Sequence, residues 1–473
     1  MTGLSRGARR AILYGSAAVI VALVYFLSPR VPQVEKVPDF VTFEEIERAE
    51  KQPPAKMLAE YLRIDTTDPP GHTREAAEFL GRAFACEGIP YSIVGDDPES
   101  PIFVARLKGR ESGNALLLLH HMDVVPAEHV ESWKRPPFSG AMGTKVDRKY
   151  LYGRGAIDMK GWGVAAFFAM AKLVREGVVP RHDIVYVGEP GEELFSAAQG
   201  VGWLMTHRPD LLEGVTDALN EGGVNEALTS RIERFEIEVM QKATVSLAVD
   251  APDVAPLEAL ADFLKKKDKE IPYRLVPSVA EYLKFIGPSR GDIWGRLFFN
   301  PEKIFTSAHF RDYAPELYRA YVKDSIYVAP PAKTETGGFT LRVSWGLLPG
   351  SPVKTARETL EGWIRERGLK SRVLWVSEDS VEVPRSGPLW DVLTTVLSLD
   401  REKAEVGPVV LTVFYTNSSY LRAHGIHAYG FSPFNINIMD AAKAHADNER
   451  INVVNLVEGT ERFSNVLLEW ATR

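Results

Sequence analysis

The stretch ALLLLHHMDVVP, residues 115–126, reads as a buried strand that ends in chemistry. Ala115 to Leu119 are apolar without interruption, and His120, His121 and Asp123 follow at once. A short apolar run of this kind fits a strand covered on both faces, as in α/β sheets, where ligands gather beyond the carboxyl ends of strands. Side chains two apart on a strand share a face while neighbours oppose each other, so His121 and Asp123 point together and His120 points elsewhere. If His121 is a metal ligand, Asp123 is placed to accept its second ring N–H and fix its tautomer.

Working outward, further strand-like runs lie at residues 91–96, 102–109, 183–188 and 216–220, with helical patterning between some of them, notably GWGVAAFFAMAKLVREG at 161–177. The alternation predicts an α/β domain with a mixed central sheet. From residue 234 the character changes: FEIEVMQKATVSLAV alternates as a strand, PLEALADFLKKKDKE reads as a helix, and SIYVA, FTLRVSW, KTARETLEGWIRERG and SRVLWVSED complete a β-α-β-β-α-β order. A long irregular insertion is expected at 270–323. The resulting organisation is an N-terminal segment and linker over 1–38, a main domain over 39–233 and 383–473, and a smaller inserted α+β, ferredoxin-like domain over 234–382.

The chain of 473 residues is 45% hydrophobic and 25% charged, an ordinary globular composition. A net charge of -7, with no run of Lys/Arg interleaved with aromatics, excludes a nucleic-acid partner. Cys86 is the only cysteine, which excludes an intramolecular disulfide framework and a thiolate zinc cluster. Near the N-terminus, Arg6, Arg9 and Arg10 precede AILYGSAAVIVALVYFL, residues 11–27, which carries no charge. This is read as a single-pass membrane anchor, with the arginines cytoplasmic and the remainder of the chain outside the cytoplasm.

Four more stretches place ionisable groups at strand ends or in Gly-rich turns: GRGAIDMKG with Asp158, GEPGEEL with Glu192 and Glu193, LNEGG with Glu221, and KAHADNERI with His445. Singly, each has a bland reading as a turn former, a helix first turn or a solvated strand end. Together, two imidazoles, three carboxylates and one further glutamate make the inventory of a two-metal hydrolase. Imidazole and carboxylate without thiolate suit Zn²⁺, with Co²⁺ or Mn²⁺ as substitutes. A glutamate beside the ligands can take a proton from water and return it to a leaving amine, so amide hydrolysis is the reaction class.

At these residues the sequence resembles the aminoacylase and carboxypeptidase family of dizinc exopeptidases, through HMDVVP, WKRPPFSG, LYGRGAIDMKG, GEEL, NEGG and AHADNE in order. NEGG and the insertion containing FFNPEKIF are most similar to the carboxypeptidase S and fatty-acyl-amino-acid hydrolase branch. The resemblance implies a zinc-exopeptidase-like catalytic domain with a lid. It also implies Asp158 bridging two divalent ions, His121 and Glu221 on one, Glu193 and His445 on the other, Glu192 as general acid/base, and Asp123 orienting His121. The implied activity is hydrolysis of an N-acyl amino acid or small peptide, with a small amide or short peptide as the substrate partner.

The departures from the family concentrate in the lid. Where relatives carry a Gly-His-x-Ser loop, TVSLAV runs directly into DAPDVAP. The expected Asn turn reads AKTETGG, and the expected Arg is Gly346 in VSWGLLPG. The usual Thr-Asp-Ser-Arg reads TNSS at 416–419, and NEGG carries Asn220 in place of Asp. The clamp for a substrate carboxylate is thus missing on both sides, and the absent histidine removes one reason to expect a dimer, leaving the oligomeric state open. The rival reading is a catalytically impaired binding or scaffold protein that kept the fold.

Overall fold

The stretch Leu116–Leu119 is fully buried in the middle of an eight-stranded sheet. The computed structural model describes residues 41–473 except 196, 224, 226–233, 289–292, 336, 401–402, 413–414 and 437. It divides into two compact units. One comprises 37–282 and 315–473, and the other includes 283–314. In the first unit the large sheet runs in the order Tyr91–Val94, Ile102–Leu107, His182–Glu189, Glu111–His121, Val215–Asn220, His427–Gly430, Arg234–Gln241, Glu405–Leu411. Four central neighbours, His182–Glu189, Glu111–His121, Val215–Asn220 and His427–Gly430, are parallel. The pairs Tyr91–Val94 with Ile102–Leu107, and Ile102–Leu107 with His182–Glu189, are antiparallel, so the sheet is mixed, as expected from the sequence.

Both faces of this sheet are covered. Leu117 and Leu119 join Val185, Val187, Val201, Leu204 and Leu421 in one core. On the other parity, helix Lys160–Arg175 packs on strand Glu111–His121, and the closing helix Val453–Thr472 packs on Lys160–Arg175. Small residues set the approach: a Cβ added at Gly163 would sit 2.5 Å from the His120 ring.

A second sheet, wholly antiparallel, has the order Ser325–Val328, Phe339–Leu347, Ala243–Ala251, Ser371–Val376, with Ala332–Lys333 paired to Phe339–Leu347. Helices Val254–Glu270 and Val353–Arg365 lay Leu257, Leu260, Leu264, Leu360 and Ile364 against Val245, Leu247, Val343 and Trp345. This is the βαββαβ order, but strand Arg234–Gln241 is not part of it. That strand pairs in parallel with Glu405–Leu411 in the large sheet, and the chain changes sheets at Lys242. The stretch expected to be irregular holds helices Pro277–Ile286, Ile293–Leu297, Pro301–Thr306, Ala308–Tyr313 and Glu316–Tyr321. In FFNPEKIF, Asn300 caps the third of these by accepting from the Lys303 N–H, with Pro301 in the first turn.

The membrane reading is corrected. The stretch 11–27 lies outside the described residues, and no helix among those described is long and apolar enough to cross a membrane. Helix Val453–Thr472 has the length but carries Glu458, Glu461, Arg462 and Glu469. Helix Lys160–Arg175 is apolar but has 16 residues, short of the roughly 20 that a bilayer requires. The anchor, the membrane partner and the extracytoplasmic placement resting on it are withdrawn.

Candidate active site

The ionisable residues singled out in the sequence converge beyond the carboxyl ends of the parallel strands, as such sheets favour. His121 ends strand Glu111–His121, Glu221 follows Val215–Asn220, and Glu192 and Glu193 form a tight turn after His182–Glu189. Asp158 precedes helix Lys160–Arg175, and His445 lies in the loop before strand Arg450–Asn452. The Asp158 carboxylate faces both imidazoles: Oδ1 is 3.1 Å from His121 Nε2, and Oδ2 is 3.0 Å from His445 Nε2. Glu221 Oε1 lies 3.9 Å from His121 Nε2, and Glu193 Oε2 lies 3.0 Å from His445 Nε2. Each imidazole thus has one oxygen of Asp158 and one glutamate around the same ring nitrogen.

The charge balance of this cluster is unusual. Burial, then the charge of Glu221, holds Glu192 well above the usual carboxylate range. Burial and Asp158 do the same to Glu221, and Glu193 is raised by the same two causes. Burial pulls the His121 pKa down, but the bond to Asp158 and the surrounding carboxylates outweigh it and carry it well up. The bonds from Asp158 and Glu193 push His445 up to about 10. Three glutamates that resist losing protons, beside an Asp158 that His121 and His445 hold in its charged form, describe a site short of positive charge. Glu192 Oε1 and Glu193 Oε1 are buried without a hydrogen-bond partner. One ligand atom from each of His121, Asp158 and Glu193, and from each of His121, Glu192 and Glu221, comes within 4.8 Å of the others. Nitrogen and carboxylate donors converging in an electron-rich pocket fit divalent cations.

The second ring nitrogen of His121 has a nearer acceptor than the Asp123 carboxylate. Nδ1 lies 2.8 Å from the Asp123 carbonyl oxygen and 3.8 Å from Oδ1, while Oδ2 accepts from the Glu193 N–H at 3.0 Å. The aspartate therefore ties the His121 strand to the turn carrying Glu192 and Glu193. His120 points to the opposite face, with Nδ1 3.2 Å from the Val187 carbonyl and Nε2 3.4 Å from the Tyr61 hydroxyl. Burial, reinforced by His121, pushes its pKa down to about 3, so it is a neutral core histidine.

Reading the sequence missed the support beneath Asp158. Glu449, fully buried, accepts from the N–H groups of Gly155, Ile157 and Asp158 at 3.0, 2.8 and 3.1 Å and from Arg154 at 2.8 Å. Its signal was its place at the end of AHADNE, four residues after His445. Also missed was an aromatic group made by Phe195, Trp375 and Tyr415, with ring centroids 5.2, 4.8 and 6.2 Å apart. A cavity of about 340 Å³ is lined by the acidic residues and His445 together with Phe195, Leu411 and Tyr415. Asn417 of TNSS is buried and donates to Glu189 Oε1 at 2.9 Å, so this Asn-Ser-Ser is a structural anchor.

Carboxylates and imidazoles clustered at the mouth of a mixed α/β sheet, His121 buried and His445 open to solvent, make a metallohydrolase-type site, and the comparisons agree. The sequence matches Peptidase family M20/M25/M40 over residues 117–469, and the chain belongs to that family. It is therefore a hydrolase of the metallopeptidase and aminoacylase type. It is 25% identical to human aminoacylase-1 over 430 residues, covering 88% of this chain and 95% of that one. Its fold is similar to that of the M20 family metallo-carboxypeptidase Sso-CP2 from Sulfolobus solfataricus, with a TM-score of 0.71, 14% identity and coverage of 89% and 100%. It is similar also to human carnosine dipeptidase 1, with a TM-score of 0.62, 16% identity and coverage of 91% and 98%.

Proposed function

We propose that the chain hydrolyses the amide bond of an N-acyl amino acid or small peptide, with His121, Asp158, Glu193, Glu221 and His445 holding two divalent ions, Zn²⁺ in the first place. The observation that carries this reading is the Asp158 carboxylate, whose two oxygens each face a different imidazole at 3.1 and 3.0 Å. When bound, the ions would polarise the amide carbonyl and lower the proton affinity of a water. Glu192, as the carboxylate, takes the proton from the attacking water and then delivers it to the departing amine, and the burial that raises its pKa strengthens it as a base. Its backbone turn is fixed by Asp123, so the acid/base and the His121 strand keep one spacing. Asp158 is held by Glu449 through its backbone N–H, which fixes the turn that presents its carboxylate.

The test is turnover of a library of N-acyl amino acids and dipeptides by the chain loaded with Zn²⁺ or Co²⁺. Cleavage of at least one member, abolished by metal removal, is expected. An inert chain shown by metal analysis to carry two ions would rule the reading out for those substrate classes.

A further inference from the structure

The aromatic group beside the acidic cluster is built with care. Phe195 follows Glu193 by two residues and closes the turn Glu192–Leu194, its N–H donating to the Glu192 carbonyl at 2.7 Å. It sits at φ 57°, a left-handed conformation that a bulky side chain adopts only when its surroundings impose it, and such strain concentrates at functional sites. Burial does not explain it, since Phe195 remains 46% exposed. Trp375 reaches the same place from the smaller sheet, where the register of strand Ser371–Val376 shifts between Val373 and Trp375. A bulge of this kind re-aims a side chain. Tyr415 is turned so that its hydroxyl donates to Asn417 at 2.9 Å, and Asn417 is in turn fixed to Glu189.

Phe195 and Tyr415 line the 340 Å³ cavity beside the acidic residues and also an adjoining cavity of about 300 Å³ that continues past Val376 and Tyr420. Among the described residues lining these two cavities there is no lysine or arginine. Ring faces carry negative charge density, so they repel a carboxylate and receive apolar groups.

We propose that Phe195, Trp375 and Tyr415 form a specificity wall that selects amides carrying a bulky apolar group, aromatic or long aliphatic, next to the scissile bond. The proposal rests on the hydrolase reading above and gives that site its substrate class. The wall takes over selection that an ionic contact with a free carboxylate would otherwise supply.

Two series of amides test it on the Zn²⁺-loaded full chain, one varied in the acyl group (acetyl, hexanoyl, phenylacetyl, succinyl) and one varied in the amine-side residue (glycine, phenylalanine, aspartate, lysine). In at least one series the apolar members are expected to exceed the small and charged ones in kcat/KM by about tenfold or more, the scale that pocket contacts give. Phe195→Ala and Trp375→Ala should each lower that ratio, whereas Tyr415→Phe, which keeps the ring, should preserve it. A preference for charged or small groups, or an apolar preference that survives both alanine variants, overturns the wall. Cleavage of no amide by a metal-loaded chain overturns the hydrolase reading instead. The wall is then judged by titrating tryptophan emission with phenylacetate and with succinate. A phenylacetate response that Trp375→Leu diminishes supports it, and equal responses to the two acids in both proteins refute it.

Discussion

The two sheets of the larger unit solve opposite problems. The large sheet is covered on both faces and still carries charge in its interior. Arg422 pairs with Glu238 through its guanidinium, both nearly inaccessible, and Glu189 is held by Asn417 and the Val201 N–H. The smaller sheet buries one apolar face under two helices, and Arg342, Val373 and Leu374 are exposed. Buried charge is costly unless fully paired, so the large sheet is where displacing one partner is felt most. The smaller sheet reaches the neighbourhood of the site at the end of strand Ser371–Val376, where Trp375 packs on Phe195 and Tyr415 and Val376 lines the adjoining cavity. The chemistry is thus carried by the large sheet and its connections, the proposed wall draws on both sheets, and substitutions in the two sheets should fail differently.

The largest effect should come from removing divalent ions with a chelator. Activity should be lost entirely and return with Zn²⁺ or Co²⁺, and the melting temperature should fall, because the crowded carboxylates then lack their counter-charge. Activity that persists in metal-free protein would break the division at once. Glu192→Gln should lower kcat by roughly 10²–10⁴-fold for every substrate, the range for losing a positioned acid/base, with metal content unchanged by elemental analysis. An effect confined to one substrate would place Glu192 with selection. Glu449→Gln should weaken metal affinity by about 10–100-fold, as removal of a ligand's supporting partner does, read by competition with a chromogenic chelator.

On the helix Val254–Glu270 that covers the smaller sheet, Leu257→Ala should cost about 2–5 kcal/mol by denaturant unfolding, as buried leucine truncations do. Here the unfolding free energy, and not the identity of the preferred substrate, should move.

The smallest effect concerns Glu236, near the start of strand Arg234–Gln241. Burial, opposed by Arg234, pushes its pKa from the ordinary 4.5 up to about 7. The native state therefore keeps a proton that the unfolded chain releases. The stability linked to this group is complete below about pH 4.5, declines as pH rises and is gone above about 7. Glu236→Gln should flatten the fall in unfolding free energy across that window. An unchanged slope would remove Glu236 as its source.

Much of this division could be read from the chain. The two-residue periodicity of a strand separated His121 from His120 correctly, because both faces of that strand are buried and register has no freedom. The mixed α/β sheet and the βαββαβ order followed from alternation. The point at which the chain leaves the large sheet did not, because Lys242 alone separates two strand-like runs and neither it nor its neighbours are turn residues. Lys242 is buried there, its Nζ donating to the Lys323 carbonyl at 2.7 Å, a partner 81 positions away in sequence. Glu449 was visible as part of a motif, but its role depends on backbone N–H groups nearly 300 positions earlier, which no local pattern encodes. The aromatic wall was hidden for a related reason: its three rings come from a strained turn, a bulged edge strand and a loop.

The crossing at Lys242 has a companion. On the way back, the Ser377 N–H donates to the Thr244 carbonyl, Ser380 Oγ to the Gln241 carbonyl and the Val383 N–H to the Val239 carbonyl. The way out and the way back are stitched side by side. The segment between them is a cassette with adjoining ends, whose Trp375 also packs on Phe195 and Tyr415. Evolution can exchange such a cassette, and with it the tryptophan it presents, while the order of the central strands and the spacing of the acidic cluster stay as they are.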